Sequence, residues 1–141
     1  MAEAGAFMTG KTGPTVIVVD DDDAVRHSLQ FALELEGFQV RTYGNGEQLL
    51  SAGLIARGGC LVIDYSMPGL DGLALLARLR ANGVCVPAIL ISARLTEDVR
   101  RRAAEAGYRR ILEKPLEGPA LVDCIRQATS PDVGGSGTSL R

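Results

Sequence analysis

Short runs of apolar residues return along this chain, and between them the apolar residues take up helical spacing. That alternation narrows the fold to a parallel sheet covered by helices. Val16-Ile17-Val18-Val19 is apolar throughout, as a strand buried on both faces must be. Leu61-Val62-Ile63, Ala88-Ile89-Leu90-Ile91 and Ile111-Leu112 have the same character, whereas Phe38 to Tyr43 alternates as an edge strand does. In the first helix Val25, Leu29, Ala32 and Leu33 recur on one face, and Gly37 stops it. Asn45 can cap a second helix that carries Leu49 and Leu50. Asp71 can cap a third, with Leu73, Leu76 and Ala77 inward. Thr96 caps a fourth, with Glu97 and Asp98 in the first turn where the dipole favours them. Leu121, Cys124, Ile125 and Ala128 form the stripe of a fifth, entered through Pro119. The expected architecture is (βα)₅, without an internal repeat.

Four of the apolar strands run out into a residue that can do polar chemistry: Asp20, Asp64, Ser92, and Lys114 after Leu112-Glu113. In an open parallel α/β sheet, ligands bind outside the carboxyl ends of the strands, so these side chains should meet at one edge. Asp21 adds a further carboxylate beside Asp20. Clustered carboxylates repel one another unless a cation sits among them, and oxygen ligands with some retained water suit Mg²⁺. A metal, a lysine and a hydroxyl around one carboxylate are what phosphoryl transfer needs, and the product implied is a phosphoaspartate. The plainer account of Asp20 to Asp23 is a solvated acidic loop capping the first helix, and it suffices for Asp22 and Asp23. Asp64 alone would read as a turn residue before Pro68-Gly69, Ser92 as a cap hydroxyl and Lys114 as a surface lysine; it is the constellation that carries the signal.

Val-Val-Asp20-Asp21, Val-Ile-Asp64-Tyr-Ser-Met-Pro68-Gly-Leu-Asp-Gly72, Ile-Leu-Ile-Ser92-Ala93 and Leu-Glu-Lys114-Pro115 resemble, in order and spacing, the receiver domain of bacterial two-component response regulators. The resemblance covers about residues 15–128. It implies that Asp64 is the phosphoacceptor, and that Asp21, Asp64 and the main-chain carbonyl of Ser66 hold Mg²⁺ while Asp20 acts through water. It implies that Ser92 bonds a phosphoryl oxygen, that Lys114 pairs with the phosphoryl group, and that the Lys114-Pro115 bond is cis. A sensor histidine kinase or a histidine phosphotransfer protein would supply the phosphate. The fold would be a doubly wound, flavodoxin-like, five-stranded parallel sheet of strand order 2-1-3-4-5. Ser66 and Arg94 occupy positions that vary in the family and flank the attacking water's path, and Arg94 is long enough to cover the phosphoryl group and exclude that water. Ile111 stands where an aromatic residue is common, so no ring can turn inward there. The expected signal is a displacement of the Ser92–Glu105 segment, with Tyr108, in the loop before the last strand, as a lesser candidate for the missing ring.

Residues 1–14 and 129–141 have the Gly-, Ala-, Thr- and Ser-rich composition of tails around a 15–128 domain. Fifteen basic against seventeen acidic residues, and six aromatics without Trp, leave no bulk case for direct nucleic-acid binding. No apolar stretch is long enough for a membrane span, and without a signal-peptide pattern the expected location is the cytoplasm. Cys60, Cys85 and Cys124, each in apolar surroundings, read as buried reduced thiols. His27 reads as a surface helix residue. Residues 94–110 carry six arginines against three carboxylates, which reads as a solvated helix face or, as the resemblance implies, as part of a surface with the fifth strand and helix for a downstream partner or self-association.

Gly5 to Thr12 matches the P-loop pattern, but Gly13-Pro14 and a strand follow where a helix is required, so no nucleotide site is expected. An aspartate-nucleophile phosphatase of the haloacid dehalogenase type would use Asp20 and Asp22, yet Ala24 replaces the Thr or Val it needs and Asp64 would have no task. Thirteen residues after Ala128 are too few for a helix-turn-helix, so a severed receiver of a DNA-binding regulator is the other alternative to a stand-alone, non-enzymatic regulator.

Overall fold

The computed structural model describes residues 14–53, 59–116 and 119–129. Strands and helices alternate: β1 (Thr15–Val19), α1 (Asp23–Leu35), β2 (Gln39–Tyr43), α2 (Gly46–Ala52), β3 (Cys60–Asp64), α3 (Gly72–Ala81), β4 (Ala88–Ser92), α4 (Glu97–Ala106), β5 (Arg110–Glu113) and α5 (Ala120–Thr129). All four strand pairings are parallel and the order is β2-β1-β3-β4-β5, as expected. The P-loop-like stretch at residues 5–12 and most of the C-terminal tail lie outside the described residues.

The three central strands are apolar on both faces because both faces are covered. Ile17, Val19, Leu61, Ile63, Ala88 and Leu90 point to one side, where they meet Leu75, Leu76 and Leu79 of α3 and Val99 and Ala103 of α4. Val16, Val18, Cys60, Val62, Ile89 and Ile91 point to the other, against Leu29 and Leu33 of α1 and Leu121, Cys124 and Ile125 of α5. Each buried Val, Leu or Ile side chain contributes about 1.5–3 kcal/mol of burial, which makes the inner strands the anchor of the fold. The edge strands β2 and β5 keep Arg41, Arg110 and Glu113 in solvent.

Four helices begin on a side-chain cap. Asp22 accepts from Val25 N–H, Asn45 from Gln48, Asp71 from Ala74 and Thr96 from Val99. These caps fix where each loop at the carboxyl edge turns into a helix. Three expected inward positions are corrected. Ala32 is exposed, because α1 rests on the sheet along the narrow Leu29–Leu33 stripe. Ala77 is exposed and Leu75 and Leu79 are buried in its place, since one residue beyond Leu76 rotates the side chain about 100° off the inner face. Cys85 is exposed as well: the chain turns at Gly83 (φ +87°) and β4 starts only at Ala88, so its apolar neighbours belong to a connection and not to a strand. Cys60 and Cys124 are buried as expected, and burial pushes the Cys60 thiol up to about 12. Among the described residues no helix is long and apolar enough to cross a membrane.

Candidate functional site

The parallel register delivers the strand ends to a common edge. Asp20 directly follows β1, Asp64 is the last residue of β3 and Ser92 the last of β4, while Lys114 directly follows β5. Asp20 is fully buried; its Oδ1 accepts from Asp22 N–H at 2.9 Å. Lys114 reaches across the edge, with Nζ 3.0 Å from Asp20 Oδ2 and 3.5 Å from Asp64 Oδ1. The ammonium lies within ion-pair distance of Asp20 Oδ2 without the alignment of a hydrogen bond. Among the described residues that oxygen is the one buried side-chain polar atom left without a hydrogen-bond partner. The Lys114-Pro115 bond is cis, as the resemblance implied.

Ligand oxygens of Asp20, Asp21 and Asp64 lie within 4.8 Å of one another. Asp20 and Asp64 are buried and Asp21 is exposed, so the cluster opens to solvent on the Asp21 side. Burial first, then the neighbouring Asp20 charge, raises the Asp64 carboxyl to about 6 against the opposing pull of Lys114. Desolvation alone would lower Lys114; the adjoining carboxylates of Asp20 and Asp64 outweigh it, and its pKa is raised. The ammonium is thus held charged while the carboxylates remain in excess over it. An oxygen-only donor set, an unpartnered buried carboxylate oxygen and surplus negative charge fit a small hard divalent cation.

Ser92 is buried, and its hydroxyl is engaged locally. It donates to the Arg94 carbonyl at 2.9 Å and accepts from the Arg94 N–H at 3.2 Å. The Arg94 side chain is exposed, and Ser66 is exposed in the loop after Asp64. His27 is exposed on α1. An apolar groove of about 480 Å³ opens beside Lys114, between α1 and the segment after β5, lined by Ala24, Val25, Leu29, Ala93, Pro115 and Leu116.

Two residues at the site have no motif behind them. Arg26, one turn into α1, donates to the Asp20 carbonyl at 2.7 Å and pairs with Asp23, tying the acidic loop to the helix. Tyr108 lies in the loop before β5, as the sequence suggests, yet it is buried and its hydroxyl donates to the Gly72 carbonyl at 2.7 Å. An arginine six residues after a strand-end aspartate was the available signal for the first. For the second there was only an aromatic residue after Gly107.

A family model for the response regulator receiver domain matches residues 16–126. The chain is 38% identical over 111 residues to the transcriptional regulatory protein FixJ of Azorhizobium caulinodans, covering 79% of this chain and 53% of that protein. It is 42% identical over 118 residues to the transcriptional regulatory protein PrrA of Mycobacterium tuberculosis, covering 84% and 51%. The chain therefore spans about half the length of these curated relatives. Among solved structures, FixJ-N superposes with a TM-score of 0.77 at 33% identity, covering 84% of this chain and 94% of that one. The Vibrio cholerae chemotaxis protein CheY4, at 20% identity and a TM-score of 0.77, shares the fold.

Proposed function

The chain belongs to the response regulator receiver domain family, and from that premise we propose that Asp64 is its phosphoacceptor, served by Lys114, Ser92 and a Mg²⁺ site on Asp20 and Asp21. One observation carries this reading: the Lys114 ammonium sits 3.0 Å from Asp20 and 3.5 Å from Asp64, so three different strand ends converge on one carboxylate. The haloacid dehalogenase alternative is not favoured. The family match covers residues 16–126, and Asp64, which that chemistry leaves idle, is part of the cluster.

Asp21, Asp64 and the Ser66 main-chain carbonyl would hold the cation, with Asp20 acting through water. Bound there, Mg²⁺ would supply charge neutralisation for the carboxylates and the incoming phosphoryl oxygens. The protein's own part is positioning. An ionised Asp64 oxygen attacks the phosphorus of a phosphohistidine, the N–P bond breaks, and the imidazole leaves. Lys114, kept charged by its two carboxylates, takes up the negative charge arriving on the phosphoryl group. Ser92 would release its local bonds to Arg94 and donate to a phosphoryl oxygen instead.

The phosphodonor would be a sensor histidine kinase or a histidine phosphotransfer protein. The apolar groove beside Lys114 supports docking next to the acceptor. Receiver domains are signalling domains, and the output proposed here is a change of contacts with a downstream partner, or self-association, through α4, β5 and α5. Exposed Arg100, Arg101, Arg109 and Arg110 support a charged contact surface there.

The test is chemical. Incubated with Mg²⁺ and acetyl phosphate, the protein should gain one phosphoryl group, stable to acid and labile to hydroxylamine. Intact-mass spectrometry of Asp64→Asn should show no adduct, and undiminished labelling of that variant would overturn the assignment.

A further inference from the structure

Gly107 ends α4 in the left-handed conformation, with φ +106°, and the next residue closes the helix: the Tyr108 N–H donates to the Ala103 carbonyl at 3.1 Å. The Tyr108 side chain then joins the core shared by α3 and α4, where the residue is 5% exposed. Its hydroxyl donates to the carbonyl of Gly72, in the first turn of α3 and 36 positions away in sequence. Burial raises the phenol's pKa, so the group remains a protonated donor.

Gly72 in turn lies against the phosphoacceptor's own backbone. A Cβ at that position would stand 2.7 Å from the Asp64 carbonyl oxygen and 2.9 Å from Leu90 Cδ1, so only glycine allows so close an approach. The Gly72 N–H also donates to the Tyr65 carbonyl at 2.8 Å, which closes the loop after Asp64. Three links therefore run from Asp64 to α4: a tight main-chain contact, a buried phenol hydrogen bond, and a helix cap. None has slack, since close-packed interiors transmit displacement.

We propose that Tyr108 is the positioning residue that registers the phosphoacceptor loop against α4 and carries a change at Asp64 to that helix. The proposal rests on the reading of Asp64 as the phosphoacceptor. Ile111, half-buried on β5, has no polar atom with which to make such a link. A second, exposed connection runs in parallel, from Arg102 of α4 to the Tyr65 hydroxyl at 3.2 Å. Being neutral and buried, the Tyr108 bond keeps its strength in salt, unlike the solvent-facing ion pairs of Arg101 and Arg102 with Asp98.

Tyr108→Phe removes the hydroxyl and keeps the ring. Amide NMR spectra of the full chain, with and without Mg²⁺ and beryllofluoride as phosphoryl mimic, would be recorded for wild type and variant, alongside acetyl phosphate labelling. In the variant, labelling at Asp64 should persist and the shifts at residues 20–22 and 64–67 should remain. The shifts of residues 97–106 should shrink about two-fold or more. Wild-type-sized shifts along α4 in the variant, or loss of labelling, would overturn the role of Tyr108. Should the variant not fold, the wild-type Tyr108 ring resonances decide: they must move on beryllofluoride binding, and static resonances sink the proposal. A wild type that takes no phosphoryl group at Asp64 would instead overturn the phosphoacceptor reading on which the proposal rests.

Discussion

At the carboxyl edge of the sheet two buried carboxylates, Asp20 and Asp64, share the ammonium of Lys114, whereas between α3 and α4 a buried phenol, Tyr108, meets a neutral carbonyl. The two assemblies lie on either side of Gly72, whose carbonyl accepts from Tyr108 and whose Cα abuts the Asp64 backbone. The first leaves Asp20 Oδ2 without a hydrogen-bond donor and carries more negative than positive charge. The second is satisfied. A buried polar group left short of partners is costly, so the edge is stabilised by anything that brings positive charge. A satisfied neutral bond has nothing to gain from added charge. The difference separates a part that responds from a part that transmits.

Removing the shared cation should test this contrast hardest. Lys114→Met keeps the volume and strands two buried carboxylates, so urea unfolding at neutral pH should show a loss of about 3 kcal/mol. Millimolar Mg²⁺ should restore much of that loss. A variant as stable as wild type without Mg²⁺ would mean that the edge is not short of positive charge.

Removing one carboxylate should act in the opposite direction. The folded state holds the Asp64 proton up to about pH 6, against an ordinary value of 3.8. This group's contribution to stability therefore falls as pH rises from about 4 to about 6, and stays low above that. Asp64→Asn should stabilise the Mg²⁺-free protein by about 1–3 kcal/mol at pH 7, with the gain fading below pH 4. A pH-independent difference would point to packing and not to charge.

The smallest effect belongs to the neutral link. Tyr108→Phe should cost about 1 kcal/mol, the ordinary net worth of one hydrogen bond. That cost should be the same with and without Mg²⁺ in the apo protein, because the apo bond gains nothing from the cation. A cost that changes with Mg²⁺ alone would join the two regions before any phosphoryl group arrives.

The inner strands, the caps at Asn45, Asp71 and Thr96, and the four strand-end residues were all legible in the chain, for one reason. Each depends on a pattern within a few residues: an unbroken apolar run, a capping side chain two or three positions before its N–H, or a polar residue where a run stops. Parallel topology then carries strand ends to one edge without further information. Finer assignments needed the packed molecule. Whether Ala77 or Leu79 faces inward depends on how α3 is rotated against the sheet, and a single residue's turn decides it. Cys85 is exposed because it lies in the connection between Gly83 and β4, although its neighbours Val84 and Val86 are apolar. The Ser92 hydroxyl turns to the backbone of Arg94, two residues on, a contact made only by the way the chain folds after β4. Tyr108 and Gly72 are 36 positions apart, and Arg26 meets Asp20 through its carbonyl, not its side chain. No local periodicity encodes such contacts: they exist only once two helices and two loops have been brought to within a hydrogen bond of each other, and close packing selects which polar groups meet.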